Sequence, residues 1–219
     1  MKRLFSYSFK RGNVRLMTPE QQIQEVKTRN IEYSRLIDKD LLADNRAAHK
    51  PSYFVLTCVD SRIMPADIMG MVPGDVLVHR NIANRFPEED LSVNSAVTFA
   101  TEILGIKHLI VMGHQDCGGL AFSMTDNNLP YLGDYLKKTK EAYNAHKHEL
   151  DNIEDKWKKN TKLAEYNALM QAERIFKHPV VQQKRNETGY PKVYATIYWL
   201  EDGLLRDLGF EENILNKDI

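Results

Sequence analysis

Two cysteines and a histidine are the residues of this chain best suited to hold a metal ion. His114 and Cys117 lie three residues apart, and Cys58 is the only other cysteine. A histidine and a cysteine at this spacing can reach one ion from a tight turn. Two thiolates and an imidazole suit zinc, and three protein ligands leave open the fourth position that catalytic zinc sites use. These residue types predict a catalytic metal site.

A carboxylate and a guanidinium follow Cys58 closely, at Asp60 and Arg62. In an extended or turning chain, side chains two residues apart project to one side, so both can lie beside the ion. Asp60 can either bind the metal itself or accept a hydrogen bond from a metal-generated hydroxide. Arg62 can hold Asp60 in its ionised form through a charge-assisted pair. We therefore predict that both residues take part in catalysis.

Each of these residues also has an ordinary structural interpretation. A single cysteine is usually a small buried hydrophobic residue, and an Asp-Ser-Arg segment is usually a turn with a surface ion pair. A disulfide between Cys58 and Cys117 would instead indicate a redox protein. Two cysteines cannot build a disulfide framework, and reduced thiols that bind a metal are the interpretation we favour.

The hydrophobic pattern predicts the elements that position these residues. Continuous apolar runs predict buried strands over residues 53–60, 75–81, 107–114 and 192–200. A helix is predicted over 92–105, where a glycine ends it. This alternation indicates an α/β fold with a mostly parallel central sheet flanked by helices. Cys58 and His114 then lie at carboxyl ends of strands, where sites form in open α/β sheets.

The segment before the first strand predicts an N-terminal helical arm. Thr18–Gln21 has the spacing of a capping box, with proline at the first helical position. The apolar residues that follow share one helix face, at Ile23, Val26, Tyr33 and Leu36. Such a helix packs on a partner or on the outside of a sheet. Later in the chain, the charge-dense residues 134–178 predict a set of solvent-exposed helices.

The composition excludes several classes of partner. The 219 residues carry 30 basic and 30 acidic side chains, so no net charge favours nucleic acid or a membrane surface. No apolar run approaches the roughly 20 residues that span a bilayer. We expect a soluble cytoplasmic protein with a small-molecule substrate. The first 17 residues, with five basic and no acidic side chains, resemble a mitochondrial transit peptide, which makes a mitochondrial location the alternative.

Four motif blocks resemble the β-class carbonic anhydrase family. They are Cys58–Arg62 (CVDSR), Pro73–Asp75 (PGD), His79–Asn84 (HRNIAN) and Gly113–Gly119 (GHQDCGG). The match is firm over residues 51–123. The first and last blocks, taken together at this separation, are highly specific for the family.

The resemblance implies a zinc enzyme that reversibly hydrates carbon dioxide to bicarbonate and a proton through a zinc-bound hydroxide. Cys58, His114 and Cys117 would bind zinc. Asp60 would be either a fourth ligand or the acceptor that orients the hydroxide, with Arg62 as its partner. A single domain over 1–219 is implied, with an N-terminal helical arm (1–50), a zinc-site core (51–123) and a helical region with a closing strand (124–219). The family forms dimers or multiples of dimers, so the resemblance implies that this chain self-associates as a homodimer or a dimer of dimers.

Two positions depart from the family pattern. Val72 stands where plant-like members carry a glutamine that contacts the substrate. Val55 stands where bicarbonate-regulated bacterial members carry a tryptophan, although Arg80 matches the arginine of that regulatory pocket. We expect an open active site without this regulation.

Three further points concern the proton shuttle and two alternative functions. His79 is the histidine nearest to the motifs, but we interpret it as a structural residue and assign no proton shuttle. A hydrolase of a carbon dioxide analogue, such as carbon disulfide, would keep the same metal site. A zinc-bound regulatory protein without turnover would keep the ligands but would not need the pair of Asp60 and Arg62.

Overall fold

The computed structural model describes residues 14–125 and 129–210, and the chain divides after His49 into two compact units. Most of the basic segment on which the mitochondrial alternative depends, residues 1–13, lies outside the described residues. None of the helices in the described ranges combines the length and the apolar character needed to cross a membrane.

The N-terminal unit contains the predicted helix. Helix α1 covers Pro19–Leu36 and α2 covers Lys39–Ala47. The hydroxyl of Thr18 accepts from the Gln21 backbone N–H at 3.3 Å, and the Gln21 side chain accepts from the Thr18 N–H at 2.9 Å, which confirms the capping box. No residue of α1 is buried, so its apolar side chains are in contact with solvent.

The second unit is built around a mostly parallel sheet, as predicted. Its strands are β1 (Tyr53–Cys58), β2 (Val76–Asn81), β3 (His108–His114), β4 (Lys192–Tyr198) and β5 (Leu205–Asp207). They lie in the order β2-β1-β3-β4-β5, and only β5 is antiparallel to its neighbour. The sequence pattern predicted a closing segment after the last parallel strand, but not that it forms an antiparallel edge strand.

Helices flank this sheet. They are α3 (Pro65–Ile68), α4 (Leu91–Thr98), α5 (Gly118–Ser123), α6 (Leu132–Thr139), α7 (Glu141–Ala145), α8 (Lys147–Asp151), α9 (Lys156–Lys177) and α10 (Pro179–Thr188). Helix α4 continues through a π-helical turn at Phe99–Ile103, and Gly105 follows with φ +62°. The helix predicted over 92–105 is therefore confirmed.

The prediction of solvent-exposed helices over 134–178 is only partly correct. The segment is helical, but α9 packs against β3 and β4 and buries one of its faces. The charged residues of α9 lie on its outer face, where they mask the buried face when the composition is averaged along the chain. This helix belongs to the core rather than to a solvated surface.

Both faces of the sheet are covered at β1 and β3, which explains the continuous apolar runs of these two strands. Along β1, Phe54 and Leu56 point into one buried cluster, and Val55 points into the cluster on the opposite face. A third cluster surrounds Cys58 and Cys117 at the carboxyl edge of the sheet. The predicted metal ligands therefore lie at the top of the core rather than at the surface.

The backbone of α9 approaches β3 very closely at Gly113, the residue before His114. A Cβ atom on Gly113 would lie 3.2 Å from the carbonyl oxygen of Ala164 and 3.3 Å from the Cβ of Ala168. Glycine on the strand and alanines on the helix therefore permit a contact that larger residues would prevent. This contact places the first half of α9 beside the end of β3.

We predict that Gly113→Ala lowers the free energy of unfolding by about 1–3 kcal/mol, because the new methyl group meets backbone that has little room to shift. Gly118→Ala is the matched control, since a Cβ there meets nothing within 4 Å. The control should change the free energy by less than about 0.5 kcal/mol. Urea denaturation of both variants measures the difference, and equal stabilities would contradict the close contact.

Candidate metal centre

The carboxyl ends of β1 and β3 bring the three predicted ligands together. Cys58 ends β1, His114 ends β3, and Cys117 lies immediately before α5. One potential ligand atom from each of these buried residues lies within 4.8 Å of the others. The two sulfur atoms are 3.9 Å apart, and both cysteines are free thiols. The group is therefore able to hold a metal ion.

The imidazole of His114 is oriented by the backbone. Its Nδ1 lies 2.8 Å from the Gln115 carbonyl oxygen, and because a carbonyl can only accept, Nδ1 carries the proton. The lone pair is then on Nε2, which is buried and has no hydrogen-bond partner among the residues that the structure describes. An unsatisfied buried nitrogen is costly, and a metal ion would satisfy it. The donor set therefore fits a metal.

The two thiols share a negative charge unequally. A hydrogen bond from Cys117 is the main reason that the pKa of Cys58 falls far below its usual value, and the Ala83 backbone N–H and the nearby imidazole of His114 lower it further. The same thiol–thiol hydrogen bond, together with burial, raises the pKa of Cys117 well above its usual value. One thiolate is stable at this place, and a second one needs a cation beside it, which a divalent metal ion supplies.

Asp60 lies beside this group and is paired with Arg62. The Arg62 Nε donates to Oδ1 at 2.9 Å and Nη2 donates to Oδ2 at 2.7 Å, which makes the pair bidentate. These side-chain hydrogen bonds are the main reason that the pKa of Asp60 falls to about 2. In this structure the carboxylate is therefore ionised and bound to Arg62, and it is not part of the three-residue ligand group.

Arg62 also contacts a residue that the sequence did not single out. Its Nη1 donates to the Asp116 carboxylate at 2.9 Å, and its Nη2 donates to the Asp116 carbonyl at 2.9 Å. One guanidinium thus connects the segment after Cys58 to the turn between His114 and Cys117. Asp116 lies inside the Gly113–Gly119 motif, but its partner Arg62 is 54 residues away in the sequence. No local sequence pattern therefore predicts this contact.

Asn160 is a second residue that sequence reasoning missed. Its Oδ1 accepts from the Cys117 N–H at 2.8 Å, and its Nδ2 donates to the Cys117 carbonyl at 3.1 Å. The side chain is buried in α9, inside the segment that was interpreted as solvated. The available signal was the recurrence of uncharged amides at helical spacing, at Asn160, Asn167 and Gln171, within a highly charged helix.

Three other positions singled out from the sequence lie on β1 and β2. Arg80 donates to the carbonyl oxygens of Cys58 at 3.0 Å and Asp60 at 2.7 Å, so it supports the backbone of the first motif. Val55 is fully buried in the core of the sheet. His79 lies in β2, where burial lowers its pKa. The expectations about regulation and proton transfer stay predictions.

The sequence profile described as carbonic anhydrase matches residues 53–205. A carbonic anhydrase of Emericella nidulans is 39% identical over 165 residues, which cover 75% of this chain and 72% of the relative. A carbonic anhydrase of Saccharomyces cerevisiae is 29% identical over 189 residues, which cover 83% of this chain and 85% of the relative.

Solved structures agree with this match. The β-carbonic anhydrase CafA of Aspergillus fumigatus superposes with a TM-score of 0.82 and 29% identity, covering 87% of this chain and 92% of that one. A tetrameric β-carbonic anhydrase of Sordaria macrospora gives a TM-score of 0.79 and 26% identity, covering 87% and 96%. The predicted fold class is confirmed, and so is the interpretation as a carbonic anhydrase, an enzyme of the lyase class. With its motifs, its sheet and its buried cysteine–histidine group, the chain belongs to the β class of the carbonic anhydrase family.

Proposed function

We propose that the protein catalyses the reversible hydration of carbon dioxide to bicarbonate and a proton, at a zinc ion bound by Cys58, His114 and Cys117. The observation that carries the proposal is the buried, unpartnered Nε2 of His114 in a residue group whose ligand atoms lie within 4.8 Å. Sulfur and imidazole ligands in this number favour zinc. When bound, zinc would supply the Lewis acidity that makes hydroxide available from water near neutral pH.

Asp60 would orient the nucleophile rather than bind the metal. Oδ1 of Asp60 accepts from both the backbone N–H and Nε of Arg62, whereas Oδ2 accepts from Nη2 and keeps a second lone pair that can accept another hydrogen bond. An ionised Asp60 can only accept, so a hydroxide beside it must direct its hydrogen toward the carboxylate and a lone pair toward carbon dioxide. Arg62 fixes the position of the carboxylate, and Asp116 fixes that of Arg62.

We also propose that the chain self-associates as a homodimer or a dimer of dimers. The apolar side chains of α1 are largely in contact with solvent, with Ile23 69% and Val26 63% exposed. Neighbouring exposed aliphatic residues on one helix favour burial against a partner. The related Sordaria macrospora enzyme is described as tetrameric.

For the compartment, we propose that the protein is located in the cytoplasm.

Asp60→Ala should lower the turnover number for carbon dioxide hydration by about 10²-fold or more, because the nucleophile loses its orienting acceptor. Zinc content should stay at one ion per chain, since Asp60 is not in the ligand group. Asp134→Ala is the matched control, because it removes an exposed carboxylate from α6. Stopped-flow assays of zinc-loaded protein measure the effect.

The same preparation should be assayed with carbon disulfide. Hydration of carbon dioxide above the buffer rate supports the proposal. If zinc-loaded wild type shows no such hydration, the proposed function is lost, and turnover of carbon disulfide alone would identify the analogue hydrolase instead.

Turnover should rise as the pH is raised from 6 to 9. Two thiolates donate more negative charge to a zinc ion than imidazoles do, so water at the ion would have a higher pKa than in an all-histidine site. The nucleophilic hydroxide would therefore form only at higher pH. Asp60 cannot cause this rise, because a carboxyl with a pKa of about 2 is ionised over the whole range and gains a proton only in strong acid. A flat profile of kcat between pH 6 and 9 would count against the proposed site.

Val26→Glu should reduce the molar mass of the assembly that the chain forms in solution. A carboxylate placed on the apolar face of α1 opposes burial of that face against a second chain. Gln24→Glu is the matched control, since it adds the same charge at an exposed position of the same helix. Light scattering after size-exclusion chromatography measures both masses. A wild type that is monomeric at all concentrations would refute the assembly.

A further inference from the structure

One face of α9 carries a row of buried amide side chains. Asn160, Asn167 and Gln171 are 4%, 1% and 2% exposed, at successive spacings of seven and four residues. These spacings place them on one side of the helix. A buried amide is costly unless both its oxygen and its nitrogen are hydrogen-bonded. The partners of these amides therefore indicate why they are present.

Asn160 binds both backbone groups of a single residue, Cys117. Its oxygen accepts from the Cys117 N–H at 2.8 Å, and its nitrogen donates to the Cys117 carbonyl at 3.1 Å. Two hydrogen bonds from one rigid amide fix both the position and the orientation of that backbone. Backbone hydrogen bonds from Gly119 and Leu120, in the first turn of α5, also reach the Cys117 sulfur.

Asn167 supports the neighbourhood of the other thiol. Its Nδ2 donates to the Ala83 carbonyl at 2.9 Å, and Gln171 donates to its Oδ1 at 3.1 Å. Ala83 has a φ of +63°, a left-handed conformation that a residue with a side chain rarely adopts without support. The backbone of Ala83 is hydrogen-bonded to Cys58. The amide row thus reaches the surroundings of both sulfur atoms.

We propose that Asn160 and Asn167 are positioning residues of the metal centre. Through Asn160, α9 holds the backbone of Cys117, which carries one thiol. Through Asn167, it holds the backbone of Ala83, which is hydrogen-bonded to the thiol of Cys58. The proposal rests on the proposed function, because it concerns the metal ion that this function requires. Neither amide belongs to the three-residue ligand group. They act through the backbone of Cys117 and Ala83. Residues that hydrogen-bond to metal ligands, without binding the metal themselves, commonly fix the orientation of those ligands.

The test compares Asn160→Ala, Asn160→Ser and Asn167→Ala with wild type in the full-length chain. Zinc affinity is measured by competition with a chromophoric chelator, and the sulfur-to-cobalt charge-transfer absorption is recorded after loading with Co²⁺. We expect zinc binding to weaken by about 10- to 100-fold in the Asn160 variants. The cobalt absorption should shift, because the Cys117 sulfur is held less firmly.

Ile175→Ala is the control for a general loss of stability. Ile175 is fully buried on the same helix, but it lies in the core cluster away from the cysteines. This variant should be less stable in urea and should keep wild-type zinc affinity and cobalt absorption. Asn160→Ser retains a small polar side chain and supplies the comparison if Asn160→Ala does not fold.

Two results would overturn the inference, and they can be told apart. If wild type binds zinc, and the Asn160 variants keep its affinity and its cobalt absorption while losing stability as Ile175→Ala does, the amides are only structural. If wild type itself binds no zinc, the proposed function fails and this inference fails with it.

Discussion

At Gly113 the backbone of β3 lies against α9 so closely that a methyl group would meet the carbonyl oxygen of Ala164 at 3.2 Å. The metal centre depends on this contact in two ways. It fixes the end of β3, where His114 begins the turn that carries the second cysteine. It also brings Asn160 within hydrogen-bond distance of Cys117. A larger residue at Gly113 would separate the helix from the turn, and the amide would lose its partner.

Charge within the site is arranged in two layers. The inner layer is a buried group of two thiols and an imidazole that tolerates one negative charge but needs a cation for the second. The outer layer is the ion pair of Asp60 and Arg62, to which Asp116 adds a second carboxylate. Arg62 remains partly in contact with solvent, so its contribution lies in geometry more than in stability. Both layers are needed for the proposed chemistry.

The sequence predicted the parts of this molecule that have local signals. Apolar runs located the parallel strands, and residue types located Cys58, His114 and Cys117. It did not predict the partners of these residues, because the contacts of Asp116 with Arg62 and of Asn160 with Cys117 join segments that are distant in the chain. The buried face of α9 was missed for a different reason, since charges on its outer face dominate the average composition.

The short strand β5 has a consequence for the edge of the sheet at which it lies. Strand β4 is seven residues long and largely buried, and if it ended the sheet it would offer a long row of unpaired N–H and C=O groups. The three residues of β5, Leu205–Asp207, pair with its last part in the opposite direction. A short edge strand with charged side chains gives another chain little template for pairing at this edge.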